Sequence, residues 1–194
     1  MWHIDPMTVL KKTGTDRKMT VAEFLEWAEH QPGRFELSGG YPVAITPPGI
    51  AHSRIKFAAC VALRAAIKQA GKPCEALVDG PSVAYRDESL YIPDVAIYCG
   101  DRISGRQNII LDPVIVAEVT SPSTAWLDKS SKLVDYFGLP SLAHYLIIDP
   151  DGGFVIHHRR ADEASIRTEI VRGGQVTLDP PGITITLSAL FEVE

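Results

Sequence analysis

The sequence predicts an α/β domain in which a central mixed sheet is flanked by helices, preceded by an N-terminal helix and a β-hairpin. Three observations predict it. From His52 to Ala70 apolar residues recur at helical spacing, short β-type apolar runs lie on both sides of that stretch, and clusters of Gly, Pro and Asp separate the runs. A chain of 194 residues is long enough to bury a core by itself. We read residues 1–18 as a polar leader and 19–194 as one domain. With 45% hydrophobic and 22% charged residues, the composition excludes a disordered or fibrous chain.

The elements follow in order. Met19 to Gln31 reads as a helix: Thr20 can cap it, Glu23 completes a capping box, and Val21, Phe24, Leu25 and Ala28 form one apolar stripe ended by Pro32-Gly33. Phe35-Glu36-Leu37 and Tyr41 to Thr46 read as strands around the turn Ser38-Gly39-Gly40. In the long helix, Ile55, Ala58, Ala59, Ala62, Leu63, Ala66 and Ile67 make the apolar face, while Arg54, Lys56, Arg64 and Lys68 fall among the polar positions. Glu75 to Tyr85, Tyr91 to Tyr98 and Pro113 to Thr120 read as strands. Asp128 to Phe137 reads as a second helix stopped by Gly138-Leu139-Pro140. His144 to Ile148 and Phe154 to His158 form a hairpin across Asp149-Pro150-Asp151-Gly152-Gly153, and Ile166 to Val193 alternates in short β-like runs.

The formal net charge is −5, which counts against a broad phosphate-gripping surface. A local grip, or one shared between subunits, remains compatible, because an acidic metal site lowers the net charge and a bound cation restores positive potential there. Cys60, Cys74 and Cys99 are odd in number and lack C-x-x-C spacing, so neither a disulfide framework nor a zinc site is expected. No apolar run approaches membrane-spanning length and the first residues lack an apolar signal segment, so a cytoplasmic protein with no membrane partner is expected.

The chemistry-bearing feature is a pair of carboxylates in apolar surroundings. Asp94 lies within the β-type run Ile92 to Ile97, and Glu118 ends the run Val114 to Val119. A buried carboxylate without a partner costs several kcal/mol, so it protonates, pairs with a base or takes a cation. Taken singly, Asp94 reads equally as a strand-edge residue after Pro93 and Glu118 as a solvated strand end. Together, followed by the polar turn Thr120-Ser121-Pro122-Ser123-Thr124 and a charged helix, they suggest a shared cation. Asp128, Lys132 and Tyr136 stand at i, i+4 and i+8 on that helix. They form either an exposed ion pair worth about 0.3–0.5 kcal/mol or a row that brings the Lys132 ammonium to a scissile phosphate. His157-His158-Arg159-Arg160 reads as a basic strand end, solvated or touching DNA.

The order Phe35-Glu36-Leu37 with Gly40, His52 opening a long helix, Pro93-Asp94, Val116 to Thr124, Asp128, Lys132, Tyr136, Gly138-Leu139-Pro140 and Tyr145 to Pro150 resembles the Uma-two family, whose members are labelled restriction endonucleases of the PD-(D/E)XK superfamily. The resemblance implies a restriction-endonuclease-like core in which Glu36, Asp94 and Glu118 converge on Mg²⁺, with Mn²⁺ as a substitute and the Val119 carbonyl completing the coordination. The superfamily's third motif is Glu-x-Lys, whereas this chain reads Glu118-Val119-Thr120. Lys132 then takes the lysine's part, and His52 either meets a phosphate at its helix start or only packs there. The expected function is hydrolysis of DNA phosphodiester bonds, by a homodimer where both strands are cut. The alternatives are a catalytically silent binding or assembly module on the same fold, and acid/base catalysis on a small molecule by the two carboxylates.

Overall fold

The computed structural model describes residues 17–120 and 126–191. The leader up to residue 16 and the polar turn Ser121 to Thr124 lie outside the described residues, as does the side chain of Asp128. Helix α1 (Val21–Glu29) starts as the capping box requires: the Glu23 N–H donates to Thr20 Oγ1 at 3.2 Å, and the Thr20 N–H donates to Glu23 Oε2 at 2.9 Å. Strands β1 (Arg34–Ser38) and β2 (Tyr41–Ile45) are joined by Gly39 and Gly40 alone. Their φ values of 57° and 87° are what a tight hairpin loop demands and what glycine supplies without strain. Helix α2 (Ile50–Gln69) is the long amphipathic helix.

The run from Glu75 to Tyr85 divides into β3 (Cys74–Val78) and β4 (Ser82–Tyr85), because Asp79 and Gly80 turn the chain with φ of 43° and 139°. The run from Tyr91 to Tyr98 likewise divides into β5 (Ser89–Tyr91) and β6 (Val95–Cys99). Pro93 has no N–H to give a ladder, so Asp94 stands in the bend just before β6 and not inside a strand. Next come β7 (Ile109–Ile110), β8 (Pro113–Val119), α3 (Trp126–Phe137), β9 (His144–Asp149) and β10 (Phe154–Arg160). The tail forms β11 (Ile166–Val171), β12 (Gln175–Leu178), β13 (Ile183–Thr186) and a short helix α4 (Ser188–Phe191), where only β-like runs are expected from the sequence.

The chain falls into two compact units: the residues up to Pro47 with Ala84–Tyr91, and Pro48–Val83 with Ile92 onward. In the first, β1 pairs antiparallel with β2 and, at Leu37↔Leu90, with β5. Phe24 and Leu37 are buried there, and Trp27 meets Phe35 edge-on at 4.9 Å. In the second, six strands form a mixed sheet in the order β11-β10-β9-β8-β6-β3, with β8 and β9 parallel and the other neighbours antiparallel. The parallel step is possible because α3 carries the chain from β8 back to the start of β9.

On one sheet face, Ile55, Ala59, Leu63 and Ile67 of α2 pack on Val95, Ile97, Ile115, Ala117, Leu146 and Ile148, with β12, β13 and α4 closing the same core. On the other, Tyr136 of α3 meets Tyr145 of β9 edge-on at 5.1 Å.

Two expectations are overturned. Cys74 and Cys99 form a disulfide. They are 25 residues apart, and the antiparallel β3/β6 register sets them opposite each other. The basic strand end is packed in except at Arg159: His157 and His158 are buried, and Arg160 donates to the carbonyls of Phe137, Leu139 and Leu142 at 2.8–2.9 Å, satisfying acceptors at and beyond the end of α3. Among the described residues no helix is long and apolar enough to cross a membrane.

Candidate metal centre

The second unit brings Asp94 and Glu118 to the same end of neighbouring strands. The β6/β8 register opens at Val95↔Ala117, so Asp94 precedes the first residue of the pair and Glu118 follows its partner. Asp94 Oδ2 accepts the N–H of Val119 at 2.8 Å, which ties the carboxylate to the peptide that follows Glu118. Alternation along β8 sends Ile115, Ala117 and Val119 into the core under α2 and leaves Glu118 to the α3 face. The two carboxylates are therefore gripped by different helices.

Asp94 is held from α2. His52 Nε2 stands 3.1 Å from Asp94 Oδ1 and Lys56 Nζ 2.8 Å from the same oxygen. His52 and Lys56 are spaced i, i+4, so one turn of helix presents both. Burial pushes the Asp94 carboxyl upward, but hydrogen bonds from His52, Lys56 and the Val119 N–H, with the charge of His52, outweigh it and leave the group below the ordinary Asp value. It is thus ionised at neutral pH. Glu118 is held from α3: Lys132 Nζ lies 3.2 Å from Oε1 and 3.4 Å from Oε2, and the Tyr136 hydroxyl donates to Oε1 at 3.0 Å. Lys132 and Tyr136 are themselves buried, at 7% and 0% exposure, so this is not the exposed ion pair of the plainer reading.

Lys56 is the residue that periodicity misplaced. Counted among the polar positions of α2, it is only 8% exposed and turned toward Asp94. Its i, i+4 relation to His52 was the available signal. His52 directs Nε2 at Asp94, while Nδ1 is buried without a hydrogen-bond partner. In this arrangement the ring orients Asp94. Glu36 is buried in β1 of the first unit.

The donor set suits a hard divalent cation. Among the described residues no group of three His, Cys, Asp or Glu side chains is placed to hold a metal ion. Mg²⁺ asks for less: one or two carboxylates, with waters and substrate oxygens filling the remaining positions. Asp94 and Glu118, at one end of adjoining strands, are the carboxylates that could fill that part.

A family model described as "Putative restriction endonuclease" (Uma2) matches residues 21–191, nearly the whole chain. The chain belongs to the Uma2 family. Two uncharacterized proteins of Synechocystis are similar along most of their length. One is 27% identical over 161 residues, covering 81% of this chain and 90% of the relative. The other is 24% identical over 180 residues, covering 90% and 92%. A crystal structure of a protein from Anabaena variabilis, described as a putative nuclease belonging to DUF820, superposes with a TM-score of 0.72 at 19% identity. That superposition covers 90% of this chain and 98% of the other. The α/β fold of the Uma2 chain, with its mixed sheets and few helices, is thus shared with that nuclease-like structure.

Proposed function

We propose that this Uma2 protein hydrolyses DNA phosphodiester bonds with the help of Mg²⁺ bound by Asp94 and Glu118. The observation that carries the reading is the pair of carboxylates at one end of adjoining strands, Asp94 held ionised and Glu118 beside the Lys132 ammonium. Bound there, Mg²⁺ would supply charge neutralisation at the phosphate and a more acidic attacking water. His52 and the Val119 N–H fix Asp94, and the Tyr136 hydroxyl fixes Glu118. Lys132, already at Glu118, is the cation available to stabilise negative charge that develops on the phosphate. Cutting both strands of a duplex calls for two such sites, which a homodimer would supply.

Cleavage of supercoiled plasmid by the purified chain, with Mg²⁺ or Mn²⁺ and with EDTA, tests the reading. We expect nicking that needs the ion and falls to background in Asp94→Asn. Equal nicking by both proteins would mean that the activity comes from elsewhere. Glu36→Gln in the same assay tests the part that the family resemblance gives Glu36.

One observation favours a second reading, a metal-free binding module: each carboxylate already has a cation from its own chain, Lys56 at Asp94 and Lys132 at Glu118. A melting temperature indifferent to millimolar Mn²⁺ would support that reading, since an ion bound only by the folded chain raises stability with occupancy.

A further inference from the structure

The ion pairs around Asp94 are not symmetrical, and their arrangement gives Lys56 a role. Its ammonium stands 2.8 Å from Asp94 Oδ1 and 3.7 Å from Asp79 Oδ1. Asp94 is largely shielded, with 15% of its side chain exposed, whereas 43% of Asp79 is exposed. The two acids belong to one local frame: the Asp79 N–H donates to the Asp94 carbonyl at 3.2 Å, and β3 and β6 pair at Val78↔Val95 just beyond. Lys56 therefore lies between an inner carboxylate that closes the candidate metal centre and an outer one at its edge.

A divalent cation and an ammonium repel each other, so holding both at close range on one carboxylate oxygen weakens the hold on each. A lysine that is 8% exposed also cannot lose its anion without a large desolvation penalty, so displacing it requires another carboxylate within reach. Asp79 is that carboxylate. We propose that Lys56 competes with the divalent cation for Asp94, and that Asp79 receives the ammonium when the cation binds.

This makes Lys56 a positioning residue with an inhibitory sign: it keeps Asp94 ionised and ordered before metal arrives and must move for metal to enter. Asp79 helps binding although it touches no metal. The proposal rests on the metal reading given above.

Titration of the 194-residue chain with MnCl₂ by calorimetry tests it. Lys56→Met should tighten Mn²⁺ by roughly tenfold, the size expected for removing one competing charge-assisted contact. Asp79→Asn should weaken it by a similar factor, and that loss should shrink in the double variant, because the part of it that runs through Lys56 is then gone. Unchanged or weaker binding by Lys56→Met overturns the proposal, as does an Asp79→Asn effect of undiminished size without Lys56, which would mark Asp79 as a plain attractive charge. If Lys56→Met does not fold, Lys56→Gln takes its place in the single and the double variant, and the same outcomes support or overturn the hand-off. Absence of Mn²⁺ binding in every variant, the Lys56→Met chain included, overturns both this proposal and the metal reading. Binding with the wrong signs overturns only this one.

Discussion

Acidification between pH 6.5 and pH 4 should destabilise this protein through the histidines of β9 and β10. His144 Nδ1 and His157 Nε2 are 2.9 Å apart, with exposures of 3% and 4%. One ring must donate and the other accept, so charging both sets N–H against N–H. Burial first, and then the charges of His144, Arg159 and His158, push His157 down from 6.5 to about 4. Burial also lowers His158. It lowers His144 too, against the pull of the Pro180 and Asp179 backbone carbonyls, neither of which closes a hydrogen bond on its Nε2.

A base whose folded value lies below its unfolded one leaves the unfolded chain holding more protons between those values. Stability is then complete above about pH 6.5 and is lost as pH falls toward 4. For His157 alone the loss is about 2 kcal/mol at pH 5 and approaches about 3 kcal/mol below pH 4. Asp94 confuses the window little, since its lowered value makes its own loss begin near the ordinary carboxylate value and run downward from there. Urea denaturation at half-unit steps from pH 7.5 to 4.5 measures the slope, and His157→Phe should flatten it. A midpoint constant from pH 7 to 5, or the same slope in the variant, would refute the reasoning.

Arg160→Ala strips three carbonyls of their charged donor and removes the guanidinium from the Phe137 ring, so we expect a loss on the order of 3 kcal/mol in urea. A loss under about 0.5 kcal/mol would make that cap dispensable. Non-reducing peptide mapping should recover the Cys74–Cys99 crosslink, and its reduction should cost about 3 kcal/mol, the chain-entropy value for a loop of this length. Lys132→Met should lower plasmid nicking by about 10²- to 10³-fold while far-UV circular dichroism stays unchanged, and wild-type rates would remove Lys132 from the chemistry.

The sequence by itself determined whatever is local or periodic. Thr20 and Glu23 specify a helix start because the capping box is built within three residues. Gly39-Gly40 specifies a hairpin because few other residues tolerate those dihedrals. The spacing of Ile55, Ala59, Leu63 and Ile67 specifies a helix with one buried face. Asp94 and Glu118 stood out because a carboxylate in an apolar run needs a partner, and that need is written in composition.

Which partner meets it was decided by tertiary structure alone. Lys56 reads as a solvent-facing residue until the placement of α2 turns it onto Asp94. Cys74 and Cys99 read as unrelated thiols until the β3/β6 register sets them side by side. His157, His158 and Arg160 read as a basic surface until β11 and the end of α3 close over them. Each of these outcomes depends on elements far apart in the chain, and their relative placement is fixed by how apolar faces pack, which no local pattern records.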